Sequence, residues 1–150
     1  MSDVDVSGRG PGRVAALDLG ARRIGVAYSD SRRSLASPWG TIQRSGDVGR
    51  DRSAVVDAVR EVEASTVVVG LPLSLSGQVG PAARSALDEA AALRSLLEPL
   101  GVTVETADER FTTVEAERSL RAAGRTGKAA RKVVDSAAAM VLLQAWLDNA

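Results

Sequence analysis

Apolar residues in this chain fall into short continuous runs and into helical repeats that follow one another along the sequence. The run over residues 14–17, extended by Leu19, is typical of a β-strand that is buried on both faces. A second apolar run begins at Ile24, after a polar segment that contains Gly20, and the two runs predict a hairpin. Residues 35–43 hold a proline and scattered apolar positions, which predicts a third strand at the edge of a sheet.

Helical repeats and further apolar runs alternate in the rest of the chain. Val55, Val59 and Val62 recur at helical spacing, which predicts a helix from Asp51 to Ala64 with Asp51 as its N-cap. The same patterns, with Pro, Gly and capping signals, predict the later elements: a strand at 66–70, a helix from Pro81, a strand at 102–106 after Gly101, a helix from the capping box at 112–115, and a last helix over about 129–147.

This order of elements predicts a single α/β domain with a mixed five-stranded sheet flanked by helices. The hairpin pairs the first two strands antiparallel, whereas the helical crossovers pair the later strands in parallel. The domain is expected to span residues 13–150. Residues 1–12, with three Gly and one Pro, have little to bury and are expected to form a disordered N-terminal tail.

Composition narrows the chemistry that the domain can perform. The chain has no Cys and no His, which excludes disulfides, Cys nucleophiles, Ser–His catalysis and the usual zinc sites. Carboxylates, with a bound metal, become the main candidates. The 19 basic and 19 acidic residues cancel, so net charge gives no argument for nucleic-acid binding. No apolar segment approaches the roughly 18 residues of a membrane span, so a cytoplasmic protein without membrane partners is expected.

Asp18 interrupts the first apolar run near its end. An ionised carboxylate in a buried strand costs several kcal/mol unless it is paired, hydrogen-bonded or bound to a cation. Two interpretations remain open from this motif alone. Asp18 can cap its own turn beside Gly20, or it can be an oxygen ligand of a divalent cation, which requires further carboxylates from elsewhere in the chain.

Glu109 and Asp135 are the acids whose positions suit that second interpretation. Glu109 follows the predicted strand at 102–106, and Asp135 lies in the first turns of the last helix. Right-handed crossovers bring the ends of such strands to one edge of the sheet, which the helix can cross. Three carboxylates gathered there would repel one another unless Mg²⁺ or Mn²⁺ bound between them. The simpler alternatives are that Glu109 is a solvated loop acid and that Asp135 offsets a helix dipole.

A local basic segment follows the acidic residues on this otherwise neutral chain. Residues 118–132 contain six basic residues and no acid, and Lys128, Arg131 and Lys132 lie at the start of the last helix, where positive charge is disfavoured. The segment is either a solvated face or a surface for phosphate backbone. Arg22, Arg23 and Arg110, which neighbour the candidate acids, are the other predicted nucleic-acid contacts.

Four stretches together resemble the YqgF/RuvX-type nucleases, which are related to Holliday-junction resolvases and have an RNase H-like fold. The stretches are Leu-Asp-Leu-Gly-Ala-Arg-Arg-Ile-Gly-Val-Ala at 17–27, Val-Gly-Leu-Pro-Leu at 69–73 with Gly77, Asp-Glu-Arg-Phe-Thr-Thr-Val-Glu-Ala at 108–116, and Arg-Lys-Val-Val-Asp-Ser-Ala-Ala at 131–138. Their occurrence in this order is specific, although each motif alone is not. One position departs from the family: Ser74 stands where Asn is usual.

The resemblance implies that Asp18, Glu109 and Asp135 are catalytic acids that bind Mg²⁺ or Mn²⁺. It also implies a nucleic-acid substrate, with maturation of the 16S rRNA precursor at its 5′ end as the expected activity. Cleavage of four-way DNA junctions is the other activity that it implies. The protein is expected to be a monomer or a homodimer, and a symmetric dimer would suit a four-way junction.

Two other functions are compatible with parts of the sequence. An ATPase of the actin, chaperone and sugar-kinase type also has an Asp-x-Gly hairpin, but such proteins pair two domains around the nucleotide and this chain has room for one. A module that binds RNA or RNA polymerase without cutting is the third possibility. The presence of all three candidate acids argues against it.

Overall fold

A five-stranded mixed sheet forms the centre of the molecule, as the sequence predicts. The computed structural model describes residues 12–111, 114–122 and 130–149, and at residues 111, 115, 119 and 130–135 it describes the backbone alone. The strands are β1 (Arg13–Leu19), β2 (Arg23–Ser29), β3 (Ala36–Gln43), β4 (Ala64–Leu71) and β5 (Thr103–Asp108). Their order in the sheet is β3-β2-β1-β4-β5, so β3 is the predicted edge strand.

The directions of the strands also agree with the prediction. β1 pairs antiparallel with β2 in a hairpin, and β2 pairs antiparallel with β3. β4 lies parallel to both β1 and β5. The carboxyl ends of β1, β4 and β5 therefore lie at the same edge of the sheet, and we call this edge the C-terminal edge.

Helices cover both faces of the sheet. They are α1 (Val48–Glu61), α2 (Pro81–Leu97), α3 (Val114–Ala122) and α4 (Ala130–Asp148). Two 3₁₀ turns, Glu98–Leu100 and Glu109–Phe111, flank β5. Pro81 is the first residue of α2, and Gly101, with a φ of 81°, follows its end, so both predicted signals hold. No helix among the described residues is long and apolar enough to cross a membrane.

The predicted N-cap of α1 is wrong by one helical turn. Asp47 is the cap, because its side chain accepts a hydrogen bond from the Arg50 backbone N–H at 3.1 Å. Asp51 lies inside the first turn and is buried. Its carboxylate accepts hydrogen bonds from the Ser45 backbone at 3.0 Å and from the Ser45 hydroxyl at 2.7 Å.

Alternate residues of the central strands pack into two separate hydrophobic cores, one on each face of the sheet. Ala15 and Leu17 of β1 pack with α1 and α2, whereas Val14 and Ala16 pack with α3 and α4. The four are fully buried, as a strand covered on both faces should be. The same alternation places Asp18, two residues after Ala16, on the face that α4 covers.

Polar contacts hold α4 across the hairpin strands. The Ser136 hydroxyl donates to the Gly40 carbonyl at 3.1 Å. The fully buried Gln144 amide accepts from the Ala36 N–H at 3.0 Å and donates to the Ser34 carbonyl at 3.1 Å. Gln144 thus bonds to backbone groups at and just before the start of β3, which fixes the helix relative to the sheet.

Candidate active site

Asp18 lies at the carboxyl end of β1, opposite Gly25 of β2. It is half-buried beneath α4. The turn after it closes with a hydrogen bond from the Gly20 N–H to the Asp18 carbonyl at 3.1 Å. A side chain at Gly20 would place its Cβ 2.7 Å from the Arg23 carbonyl oxygen, so the turn requires glycine for space.

Glu109 follows β5 directly, as the first residue of a 3₁₀ turn. Although β4 separates β1 from β5, the Glu109 carboxyl shares a hydrogen bond with the carboxyl of Asp18. Burial raises the pKa of Glu109 to about 7, and the charge of Asp18, their hydrogen bond and the charge of Asp108 add to the rise. Glu109 therefore retains part of a proton near neutral pH.

Gly70 of β4 has no side chain, and this leaves room for the Glu109 carboxyl beside the strand that separates the two acids. A Cβ at Gly70 would lie 2.6 Å from Glu109 Oε1 and 3.0 Å from Leu142 Cδ2 of α4. Those distances are shorter than side-chain contacts allow. Glycine at this position therefore lets Glu109 and α4 lie against the backbone of the strand between the two acids.

The pair opens into a cleft of about 410 Å³ between the C-terminal edge of the sheet and α4. Its lining consists of Asp18, Glu109, Glu117, Ala137, Ala138, Val141 and Leu142. Glu117, an exposed residue of α3, is a carboxylate that sequence reasoning missed. Its sequence signal is weak, because an exposed acid on an amphipathic helix is ordinary.

Other predicted site residues lie partly or wholly outside the described residues. Lys128 is outside them, and Arg131, Lys132 and Asp135 lie within α4 with only their backbone described. Among the described side chains, no group of three potential metal ligands forms. The structure thus brings Asp18 and Glu109 together, and the roles of the other four residues stay predictions.

Arg22 and Arg23 lie in and just after the hairpin turn, at the same end of β1 as Asp18. Both are exposed. The turn is braced by Arg44, whose Nε donates to the Gly20 carbonyl at 2.7 Å and whose N–H donates to the Arg22 carbonyl at 3.0 Å. Two exposed basic residues therefore lie at the turn that follows Asp18.

Arg110 is engaged by groups of the protein itself. Its Nη2 and Nε lie 2.6 Å and 2.9 Å from Asp108 Oδ2, and its Nη1 donates to the Leu75 carbonyl at 3.1 Å. The hydrogen bonds from Arg110 lower the pKa of the Asp108 carboxyl. The contact to Leu75 joins residues 35 apart in the sequence, so no local pattern could have predicted it.

Comparison with known proteins assigns this chain to a family. A family model described as "RuvX: Holliday junction resolvase" matches residues 12–149. The chain belongs to the RuvX family. It is 46% identical over 140 residues to a protein of Mycobacterium sp. strain KMS, covering 93% of this chain and 82% of that one. It is 45% identical over 149 residues to a Rhodococcus opacus strain B4 protein, covering 97% and 82%. Both relatives are named as candidate pre-16S rRNA nucleases.

Solved structures support the same fold for this member of the RuvX family. Thermus thermophilus RuvC in complex with a Holliday junction substrate superposes with a TM-score of 0.64 at 15% identity, covering 92% of this chain and 94% of that one. The fowlpox virus Holliday junction resolvase gives a TM-score of 0.53 at 12% identity, covering 91% and 98%. The predicted RNase H-like fold and the predicted family are therefore confirmed, and with them the nuclease class.

Proposed function

We propose that this protein is a metal-dependent nuclease that hydrolyses phosphodiester bonds at the cleft above Asp18 and Glu109. The observation that supports it is the contact between these two carboxyls at the ends of strands that are not neighbours. Such a pair is costly to bury, since each ionised carboxylate disfavours the other. A pair of this kind at a sheet edge, open to a cleft, suits the binding of a cation or a substrate that offsets the repulsion between the two carboxylates.

The donor atoms fit a hard divalent cation. Carboxylate oxygens are the ligands that Mg²⁺ and Mn²⁺ prefer, and the chain offers no thiol or imidazole that would favour softer metals. When bound, such a cation lowers the pKa of a water nucleophile and offsets the charge that develops on the phosphate. Asp18 and Glu109 would hold it, and their mutual repulsion would then be replaced by attraction to the ion.

Asp135 is the proposed third acid of this site. It lies three residues before Ala138 and seven before Leu142, the spacing of residues on one side of a helix, and both of these line the cleft. Ser136, its neighbour, is buried and hydrogen-bonded to β3, which fixes this part of α4 over the sheet.

We further propose Glu117 as an acid that orients solvent or cation at the mouth of the cleft.

The nucleic acid is proposed to be held by its backbone. Arg22 and Arg23 are exposed at the hairpin turn, at the same end of β1 as Asp18, and the basic segment comes immediately before and into α4 in the sequence. Phosphate contacts of this kind position a strand without reading its sequence. The described cleft is lined by carboxylates and aliphatic side chains and by no aromatic ring, so base stacking is not part of the proposal.

The substrate that we propose is the 5′ end of the 16S rRNA precursor, which would place the protein in the cytoplasm. The support is the name carried by relatives at 45–46% identity over nearly the whole chain. A four-way DNA junction is the second candidate, because the family description names a Holliday junction resolvase. Both substrates would use the same acids and differ in the surface around the cleft.

Cleavage of labelled substrates by the purified protein tests both proposals. Precursor 16S rRNA, an unrelated single-stranded RNA and a four-way DNA junction are each incubated with Mg²⁺, with Mn²⁺ or with excess EDTA. We expect cleavage of the precursor RNA with metal and none in EDTA. Preferred cleavage of the junction would select the second candidate, and cleavage that persists in EDTA would contradict the metal-dependent mechanism.

A pair of isosteric variants identifies the site. Asp18→Asn removes a charged ligand from the cleft, and we expect it to abolish cleavage because a neutral amide is a much poorer ligand for hard cations. Asp88→Asn makes the same change on the exposed surface of α2, on the opposite face of the sheet, and should cleave like wild type. Equal activity of all three proteins would place the active site elsewhere.

A further inference from the structure

The segment between β4 and α2 is a loop that closes on itself through Ser74. The Ser74 hydroxyl accepts a hydrogen bond from the Gln78 N–H at 3.0 Å, and the Ser74 carbonyl accepts one from the Gly77 N–H at 2.8 Å. Gly77 has a φ of 85°, which other residues rarely adopt. Residues 72–80 thus form a compact loop, the β4 loop, at the C-terminal edge of the sheet.

Arg110 links this loop to the end of β5. Its guanidinium bridges the Asp108 carboxylate and the Leu75 carbonyl, and it lies so close to Gly77 that a Cβ there would be 3.4 Å from Nη1. The Leu75 side chain is 95% exposed, so apolar packing of that side chain does not hold the loop tip. The polar bridge therefore anchors the loop beside Glu109, which lies between Asp108 and Arg110 in the sequence.

We propose that Arg110 is a positioning residue that clamps the β4 loop to the Glu109 turn, so that Glu109 is held in a fixed position at the cleft. The proposal rests on the nuclease function proposed above and assigns Arg110 a role other than direct phosphate binding. Its planar fork bonds to the Asp108 carboxylate through Nε and Nη2 and to the Leu75 carbonyl through Nη1, and the single nitrogen of Lys does not reproduce this geometry.

The two roles of Arg110 make different demands on its chemistry. A phosphate contact requires the positive charge, which Lys retains, and losing it lowers the salt dependence of binding by about one unit. A clamp requires the fork, which both Lys and Met lack. Arg110→Lys and Arg110→Met therefore separate the roles, since they share the loss of the fork and differ in charge.

Arg52→Lys is the matched control. Arg52 makes the same kind of paired contact, with Nε 2.9 Å from Glu89 Oε2 and Nη2 3.0 Å from Glu89 Oε1, but it joins α1 to α2 away from the cleft. The change from fork to ammonium is identical. Any loss that comes from disrupting a surface ion pair in general should appear in this variant as well.

Amide hydrogen exchange of the β4 loop, kcat, KM and the salt slope of substrate binding are measured for wild type and the three variants. The clamp predicts that both Arg110 variants exchange the amides of residues 74–78 about tenfold faster or more, as expected for loss of a charge-assisted hydrogen bond. It predicts that kcat falls about 10- to 100-fold, with KM and salt slope nearly unchanged. Arg52→Lys should match wild type in loop exchange and kcat.

Two results would overturn the clamp. Wild-type exchange of the loop in both Arg110 variants would show that Arg110 does not hold it. A salt slope reduced by about one unit in Arg110→Met and kept in Arg110→Lys, with kcat unchanged, would make Arg110 a phosphate contact. Hydrogen exchange needs no substrate, so a wild-type protein that cuts nothing would refute the nuclease function without obscuring whether Arg110 anchors the loop.

Discussion

Glu109 lies against the backbone of Gly70, with its Oε1 atom 2.6 Å from the point that a Cβ at residue 70 would occupy. Gly70→Ala should therefore fold, because the residue has no positive φ, but the Glu109 carboxylate must move away from Asp18. We expect a stability loss of roughly 1–3 kcal/mol, typical of overpacking, and a fall in kcat of about 100-fold. Melting curves and cleavage rates measure the two effects.

Gly49→Ala on α1 is the control for that variant. A Cβ at Gly49 would meet only Asp47 Oδ1, at an ordinary 3.5 Å, and Ala stabilises a helix relative to Gly. This variant should melt at or above the temperature of wild type and cleave at the same rate. A Gly70→Ala enzyme with wild-type kcat would mean that the position of Glu109 is not critical.

Stability without metal should fall as pH rises through the range in which Glu109 titrates. The pKa of Glu109 is about 7 in the folded protein and 4.5 is its ordinary value, so between these limits the folded state binds more protons than the unfolded chain. The free energy of unfolding therefore decreases from about pH 4.5 to about pH 7. Above about pH 7 the loss is complete, because Glu109 is ionised in both the folded and the unfolded state. The chain has no His to titrate in this window, so the effect is open to measurement.

Melting in EDTA at pH 5.5 and pH 8 tests this dependence. Wild type should lose stability between the two values, whereas Glu109→Gln should lose clearly less because the titrating group is absent. Saturating Mg²⁺ should reduce the loss in wild type, since a cation favours the ionised form. An identical pH dependence in wild type and Glu109→Gln would exclude Glu109 as the titrating group.

Local patterns were sufficient to predict the sheet and the position of Asp18. An apolar run covered on both faces can be recognised from the sequence alone. Pro81 sets the start of α2, and Gly101 ends the 3₁₀ turn that follows α2, through backbone preferences that need no tertiary context. Asp51 shows where local signals fail. Two aspartates, Asp47 and Asp51, stand one helical turn apart, and the contact of Asp51 with Ser45 decides which of them is the cap.

Contacts between distant residues account for what the sequence did not predict about the site. The space that Gly70 leaves for Glu109 depends on how β4 and β5 pair, and the bridge from Arg110 to Leu75 depends on a loop whose shape is set by Ser74. Ser74 is also the position at which this chain departs from the family, which usually has Asn there. Its hydroxyl closes the β4 loop by accepting the Gln78 N–H, so this chain closes the turn without a side-chain amide.

Salt dependence should reveal the surface that holds the nucleic acid. Replacing Lys128, Arg131 and Lys132 by Ala should flatten the plot of log affinity against log salt by up to about three units, because each phosphate contact releases counterions. Binding is measured with Ca²⁺ or with Asp18→Asn to prevent cleavage. Replacing three exposed arginines of α1 and α2, Arg50, Arg60 and Arg84, is the matched control and should leave the slope unchanged.

The thermal response to metal tests whether Asp135 joins the acidic pair. If the three carboxylates converge, they repel one another without metal, and Asp135→Asn should melt at the same temperature as wild type or higher in EDTA. Wild type should gain stability in millimolar Mg²⁺ by mass action on the folded state, and the variant should gain clearly less because it has lost a ligand. Both melts are recorded with and without metal.

The alternative role of Asp135, which is to offset the dipole of α4 near its N-terminus, predicts the opposite pattern. Removing the charge would then cost roughly 0.3–1 kcal/mol in EDTA. Wild type and variant would respond alike to Mg²⁺, because the ligand set would be intact. Adding Asp18→Asn to the comparison sharpens the decision, since that variant must lose the response to Mg²⁺ if Asp18 binds metal. A response lost in Asp18→Asn and kept in Asp135→Asn would limit the site to the acids of β1 and the β5 end.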